Sequence, residues 1–278
     1  MGDSGVAPQL TLDHCGCIAA DLNRAAFAWE RLGFTLSPLS PQRGAVPGLP
    51  GMQPWATSNR CALFERGYLE LIGVTRREAH DPWASFLTRG AGLHILALRC
   101  DDADTAYAAL EADAPFLQSP VQREREVDVD GHARMLRFRN IFSRDVDCPE
   151  ARYILIEHQT PELLWQRRYL THENSALSLH DVTLVTEDCT ELAGRIGALG
   201  AAPGITIVDA AAFTRQYGYR PQRLPGLHAL GVGVRDLRLA LGLLAARGIP
   251  VTRSEKAVWI APQYTGGFVL RMLQVALT

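Results

Sequence analysis

The chain contains four copies of one pattern, in which a short hydrophobic run opens with a histidine and is followed by an acidic turn and an amphipathic helix. The copies begin at Leu12, Leu93, Leu179 and Leu227, and their histidines are His14, His94, His180 and His228. Internal repeats constrain the fold strongly, because each copy is expected to form the same supersecondary unit. The four histidines are therefore expected at one equivalent structural position.

Each copy predicts a strand followed by a helix. An aspartate stands where the helix should begin, and a carboxylate there accepts hydrogen bonds from the first free backbone N–H groups. These predicted caps are Asp21, Asp102, Asp188 and Asp236. Glycines that suit a helix C-terminus follow three of the helices, at Gly33, Gly200 and Gly248.

The segments after the helices complete a β-α-β-β-β unit in the first two copies. A Pro- and Gly-rich stretch from Pro38 to Pro54 is predicted to be a loop, and the strands SNRCALFE and GYLELIGV follow it. The second copy continues with REVDVDG, ARMLRFRN and RYILIEHQ. This order predicts an α+β fold in which paired modules form a cup-shaped mixed sheet.

The second half of the chain is shorter, with strand candidates in ITIVDAA, KAVWIAP and FVLRML. The predicted organisation is therefore a first domain, residues 1–165, made of two complete modules that carry the candidate site. Residues 166–278 are expected to form a second, degenerate domain of two shortened modules.

Composition excludes several classes of protein. Among 278 residues, 28 basic and 30 acidic side chains leave a net charge of −2, too small to attract nucleic acid or an acidic membrane surface. The N-terminal sequence has no signal-peptide pattern, and no apolar run is long enough to span a bilayer. The expected location is the cytoplasm, with the six cysteines as reduced thiols. Nucleotide-binding glycine motifs and a serine-hydrolase elbow are absent.

Two histidines and two glutamates recur at matched positions of the complete modules. His14 and His94 open the first strands, whereas Glu70 and Glu157 lie in the last strands. A glutamate in an apolar strand is costly unless it is paired or binds a metal. Two imidazoles and two carboxylates suit one divalent ion, with Zn²⁺, Ni²⁺, Fe²⁺, Co²⁺ and Mn²⁺ all compatible.

These residues and modules resemble the vicinal oxygen chelate superfamily, which includes glyoxalase I, extradiol dioxygenases and bleomycin-resistance proteins. The resemblance is carried by LDHCGCIAADLNRAAFAWERLGFTL, NRCALFERGYLELIGV, GLHILAL and IEHQTPELLW, and it is greatest over residues 10–170. It implies two modules closed into a cup around one metal bound by His14, Glu70, His94 and Glu157. It also implies that Glu70 or Glu157 serves as the general base.

Other residues are assigned by the alternation of side chains along strands. Asn59, Cys61 and Tyr153 are candidates for the substrate-binding wall, whereas His158 should face away from the cup. Arg137 and Arg139 share a face and would either hold an anionic substrate or form a charged, solvent-facing edge.

In the second half, no metal site is predicted. Arg271 stands where a carboxylate would be needed, and its guanidinium stays protonated and would repel a divalent cation. His180 and His228 are therefore expected to bind no metal.

The predicted function is a metal-dependent lyase or isomerase of the glyoxalase type, acting on a small oxygenated molecule. One alternative is a protein that sequesters a ligand without catalysis, as bleomycin-resistance relatives do. A second is an Fe²⁺-dependent dioxygenase that needs only two histidines and one carboxylate. A small-molecule substrate is the expected partner, and a homodimer is a possible assembly.

Overall fold

A computed structural model describes residues 8–200, 203–254 and 257–276. The N-terminal residues 1–7, in which no signal is predicted, and Lys256, which opens a predicted strand, lie outside these ranges. The first half contains β1 Thr11–Ala19, α1 Leu22–Arg31, β2 Ser40–Gly44, β3 Gln53–Leu63, β4 Tyr68–Val74, α2 Ala84–Leu87, β5 Gly92–Arg99, α3 Ala103–Leu110, β6 Val121–Val129, β7 His132–Phe142 and β8 Arg152–His158.

A short helix, α4 Pro161–Leu164, and a 3₁₀ turn, Arg167–Tyr169, connect the halves, so the predicted division at residue 165 falls in this connection. The second half contains β9 Ala176–Thr186, α5 Cys189–Ala198, β10 Ile205–Asp209, α6 Ala210–Tyr217, β11 Gly226–Val234, α7 Leu237–Ala246, β12 Val251–Arg253, β13 Ala257–Ile260, α8 Pro262–Thr265 and β14 Val269–Gln274.

Two mixed sheets form the architecture, as the predicted α+β class requires. The first has eight strands in the order β2-β3-β4-β1-β5-β8-β7-β6, and the second has six in the order β10-β9-β11-β14-β13-β12. The first strands of the two complete modules, β1 and β5, pair antiparallel at the centre of the first sheet. Each is flanked by the last strand of its own module, in parallel.

The two faces of the first sheet carry different apolar clusters. One face packs against the helices in a cluster that continues into the second half and contains Cys15, Cys17, Trp29 and Phe268. The other face is concave and carries Ile18, Ile72, Ile95 and Ile156, among others. Cys15 and Cys17 lie on the helix side, and all six cysteines are free thiols. We call the concave face the cup.

The helix starts follow the sequence prediction. Asp21, Asp102, Asp188 and Asp236 each accept a hydrogen bond from a backbone N–H in the first turn of their helix. The predicted loop between Pro38 and Pro54 is wrong in part, because it contains β2 and the start of β3. With β2, the first module has the predicted β-α-β-β-β order. No helix in the described ranges is long and apolar enough to cross a membrane.

Candidate functional site

A buried carboxylate, that of Asp13, organises the polar part of the cup. Its oxygens accept hydrogen bonds from Nδ1 of His14 at 2.7 Å, from Nε2 of His158 at 3.1 Å and from Nε of Arg99 at 2.9 Å. The residue is 1% exposed. Burial favours its neutral form, but the hydrogen bonds and charges of His14 and His158 outweigh it and hold the pKa of this carboxyl far below its usual value.

The bonding to Asp13 fixes which ring nitrogens carry protons. An ionised carboxylate only accepts, so His14 donates from Nδ1 and His158 donates from Nε2. In the neutral rings, the lone pairs are then left on Nε2 of His14 and on Nδ1 of His158. Nδ1 of His158 is buried and has no hydrogen-bond partner among the described residues. A buried imidazole nitrogen of this kind is available to a bound molecule or water.

A local irregularity in β1 brings Asp13 and His14 together. Neighbours in a regular strand point to opposite faces, but the pairing of β1 with β5 shifts register between Leu12 and His14. The bulge lets adjacent side chains meet. The ring of Tyr68, the register partner of His14 on β4, stacks on the imidazole with centroids 4.3 Å apart and fixes its plane.

A second polar group lies beside the first. Glu70 lies two residues after Tyr68 on β4 and accepts a hydrogen bond from the side-chain amide of Asn59 on β3. Arg125 on β6 donates to Oδ1 of Asn59 at 3.3 Å and to the hydroxyl of Ser40 on β2 at 3.3 Å. Since β6 and β2 are opposite edges of the sheet, these contacts mean that the sheet curls until its edges meet.

The two polar groups are electrostatically linked through Tyr68. Burial raises the pKa of its phenol well above the usual value, and the negative charges of Asp13 and Glu70 add to this effect. Tyr68 is therefore a neutral hydroxyl at working pH.

The structure does not bring Glu157 into the cup, which corrects the predicted ligand set. Its carboxylate lies on the helix side, where it accepts a hydrogen bond from the backbone N–H of Ala103 at 3.0 Å, at the start of α3. The cup face of β8 instead carries Ile154 and Ile156, which pair with Ala97 and Arg99 of β5. The match between Glu157 and Glu70 by residue type therefore assigned Glu157 to the wrong face of β8, because a shift of one residue exchanges the two faces of a strand.

His94 is also used differently from the prediction. Its Nε2 donates to the backbone carbonyl of Gly90 at 2.8 Å, and its ring meets the edge of Phe86. Burial, together with the positive charge of Arg223, lowers the pKa of His94 to about 3. A neutral histidine with Nε2 engaged in this way has only Nδ1 left for a ligand.

The remaining predicted positions divide between the two faces. Asn59 and Cys61 lie in the cup as expected. Tyr153 does not: it packs on the helix side and donates to Glu150 at 2.6 Å. His158, expected outside, lies in the cup because β8 has the opposite phase.

Arg137 and Arg139 lie outside the cup, since their neighbours Leu136 and Phe138 fill it. They pair with Glu124 and Asp104, which is the arrangement that the charged-edge alternative describes.

The predicted four-ligand metal site does not fit this arrangement. Of its members, Glu157 lies on the helix side, and Nε2 of His94 is engaged by the carbonyl of Gly90. In the described part of the chain, no group of three or more His, Cys, Asp or Glu side chains is placed to hold a metal ion. Sequence reasoning missed Asp13, Arg99 and Arg125. Only the position of Asp13 beside the repeat histidine could have pointed to it.

The second half has the expected cation in place of a carboxylate. Arg271 donates to Asp181 at 3.1 Å. An ion pair therefore occupies the position that corresponds to the glutamate in the last strand of a complete module. His228 repeats the environment of His94: its Nε2 donates to the carbonyl of Arg223 at 2.7 Å and its ring meets the edge of Phe213.

Comparison with solved structures shows the same fold in several proteins. A hypothetical protein from Staphylococcus aureus matches with TM-score 0.64 and 13% identity over 96% of this chain and 100% of its own. A mutant of 4-hydroxymandelate synthase from Streptomyces coelicolor matches with TM-score 0.58 and 14% identity, covering 96% and 93%. Homoprotocatechuate 2,3-dioxygenase from Arthrobacter globiformis matches with TM-score 0.52 and 14% identity, covering 97% and 81%.

None of the curated proteins matches the sequence. The model of the glyoxalase-like domain family matches residues 12–200, which is more than half of the chain and includes all of the eight-stranded sheet except Thr11. Together with the paired modules and the curled sheet, this match establishes that the chain belongs to the glyoxalase-like domain family of the vicinal oxygen chelate superfamily.

Proposed function

We propose that this chain is an enzyme of the lyase or isomerase type that transfers a proton on a small oxygenated substrate bound in the cup, with His14 as the acid–base group. The observation that carries the proposal is the bond between Asp13 and Nδ1 of His14. It leaves Nε2 of His14 with a lone pair, and a carboxylate behind the ring stabilises the imidazolium that forms when Nε2 takes a proton.

The surroundings of His14 support this role. The stacked ring of Tyr68 restricts rotation of the imidazole, and the second nitrogen is held by a carboxylate that stays ionised. Proton transfer needs a group held within hydrogen-bond reach of the reacting atom, so a fixed ring is an advantage.

Polar groups beside His14 suit a substrate with oxygen atoms. Nε of Arg125 is buried and has no hydrogen-bond partner within the described ranges, so it can donate to a substrate oxygen. The amide of Asn59 and the carboxylate of Glu70 lie next to it and can bind a hydroxyl group. Charge that develops on a carbonyl oxygen during proton removal would be stabilised by the Arg125 guanidinium.

Exchange of carbon-bound hydrogen in D₂O tests the proposal. A panel of small 2-oxo and 2-hydroxy carbonyl compounds would be incubated with the protein, and proton NMR would follow the loss of the signal next to the carbonyl. We expect exchange with at least one compound, slowed about 100-fold or more in His14→Gln. His132→Gln is the matched control, because His132 is exposed on β7.

Each other outcome has a defined meaning. Exchange that survives in folded His14→Gln would contradict the role of His14. Saturable binding without exchange by any compound would favour the ligand-sequestering alternative. Oxygen consumption with a catechol would favour the dioxygenase. Parallel assays with a chelator and with added Zn²⁺, Ni²⁺, Fe²⁺, Co²⁺ or Mn²⁺ test the predicted dependence on a metal.

A further inference from the structure

A cleft of about 570 Å³ lies between the two halves and away from the cup. Its first wall is the N-terminal part of α1, from Asp21 to Ala28. Its second wall comes from the other half, where the connection between α6 and β11 and the turn between α8 and β14 face α1. Neither Asp13, His14 nor Glu70 lines it, so the cleft is a separate feature.

The halves are held together at the base of the cleft by backbone contacts. Gly267 has φ 110°. A Cβ at Gly267 would lie 2.5 Å from the carbonyl oxygen of Ala91, so only glycine allows this approach. Arg223 donates to the backbone carbonyl of Leu93 on β5 and to that of Leu227 on β11 at 3.3 Å. The walls are therefore fixed before any ligand binds, which lowers the entropy cost of binding.

The interior surface of the cleft is apolar. Ala25 and Ala28 of α1 present only methyl groups, and the rings of Phe213, Tyr219 and Pro262 oppose them. The volume is within the range of small-molecule sites, and an apolar lining with flat rings suits a planar hydrophobic body.

The charged groups that line the cleft are two arginines and one aspartate, beside the neutral His228. Arg24 and Arg220 line it from opposite walls, and neither makes an ion pair with a carboxylate in the part of the chain that the structure describes. Asp21, the acidic lining residue, is already engaged, because it accepts the backbone N–H of Arg24 at 3.0 Å as the cap of α1. Gln222 and Gln263 add amide donors. An anionic group fits this arrangement best.

We propose that the cleft between the halves is a second binding site, for a small anion with a planar apolar body, of the class of aromatic carboxylates and sulfonates. The apolar rings hold the body, and Arg24 and Arg220 hold the acid group. The site needs both halves, which gives the shortened second half a role beyond packing against the first.

A pair of matched fluorescent probes tests the proposal. 1-Anilinonaphthalene-8-sulfonate carries a sulfonate, whereas N-phenyl-1-naphthylamine has the same aromatic body without charge. We expect the full-length protein to bind the sulfonate probe saturably at one site. The double variant Arg24→Gln with Arg220→Gln should weaken its binding about tenfold or more and should change binding of the neutral probe less than about twofold. Arg238→Gln, at an exposed position of α7, is the charge control and should change neither.

A second variant tests the location. Ala28→Phe fills the cleft and should weaken binding of both probes, while circular dichroism confirms the fold. The proposal is overturned if the double arginine variant binds the sulfonate probe as tightly as the unchanged protein, or if Ala28→Phe leaves both affinities unaltered. Equal loss with Arg238→Gln would show a general charge effect and would also overturn it.

Discussion

The carboxylate of Asp13 lies 3.1 Å from Nε2 of His158, although 145 residues separate them in the chain. The contact reaches from β1, the first strand of the first module, across β5 to β8, the last strand of the second module. Because Asp13 also holds His14 and Arg99, one buried side chain both joins the modules and orients the proposed acid–base residue.

Replacing Asp13 should therefore affect stability strongly. In Asp13→Asn the charge is lost and three donors compete for one amide oxygen, so Arg99 loses its counter-charge. We expect the free energy of unfolding to fall by about 2–4 kcal/mol, measured by urea denaturation. The matched control Asp104→Asn breaks an exposed pair with Arg139 and should leave stability nearly unchanged. Equal losses in the two variants would contradict the central role of Asp13.

The two glutamates that the repeats match should respond differently to substitution. Glu157→Ala removes an acceptor for the backbone N–H of Ala103 and should lower the free energy of unfolding by about 1 kcal/mol, without slowing exchange in D₂O. Glu70→Ala should slow exchange, since Glu70 lies in the cup beside Asn59. Titration with Co²⁺ would separate this account from the four-ligand site. If the unchanged protein binds one Co²⁺ per chain and Glu157→Ala does not, Glu157 is a metal ligand and this account is wrong.

Stability should fall as the pH drops from about 6.5 to about 4. Burial and the positive charge of Arg223 lower the pKa of His94 to about 3 and that of His228 to about 4, both from 6.5. Between pH 6.5 and the lowered pKa of each histidine, the unfolded chain binds more protons than the folded protein, so a fall in pH favours unfolding. Above pH 6.5 neither histidine contributes to this dependence. The expected loss is on the order of 2 kcal/mol per histidine at pH 5.

Denaturation measured at several pH values checks this dependence. His94→Gln and His228→Gln keep a side-chain donor for the carbonyls of Gly90 and Arg223 but cannot titrate. Each should flatten the slope of stability against pH, whereas His132→Gln, at an exposed position, should not. An unchanged slope in the double variant would contradict the assignment.

The thiols should differ sharply in reactivity. Burial raises the pKa of Cys17, Cys61, Cys100 and Cys148 to about 12, and it raises that of Cys15 as well. Cys189 alone among the six is only partly buried. A disulfide reagent such as 5,5′-dithiobis(2-nitrobenzoate) should therefore modify one thiol quickly in the native protein, and Cys189→Ser should abolish that phase. Rapid reaction of several thiols would contradict the burial of the other five.

The sequence repeats predicted the modules, the helix caps and the mixed sheet, because each depends on local pattern and periodicity. The faces of β1 and β4 were also predictable, since Ile18 and Ile72 alternate regularly with their neighbours. The short edge strand β2 was not, because its sequence, SPQRG, lacks an apolar alternation and is held by pairing with β3.

The candidate site was less predictable, for two physical reasons. The bulge at Asp13 breaks the alternation that otherwise assigns faces, so the contact between Asp13 and His14 has no sequence signature. The phase of β8 depends on its register with β5, and a shift of one residue exchanges Glu157 for His158 in the cup. The meeting of Arg125 with Asn59 depends on how far the whole sheet curls.

The protonation state of His14 is the most direct test of the central claim. Long-range ¹H–¹⁵N correlation NMR of the ¹⁵N-labelled protein, with His14→Gln to assign the signals, distinguishes a protonated from an unprotonated ring nitrogen. At a pH where the ring is neutral, the account predicts a proton on Nδ1, which Asp13 binds, and a lone pair on Nε2. The same pattern should be lost in Asp13→Ala. A His14 ring with its proton on Nε2 would contradict the proposed role of Asp13 and His14.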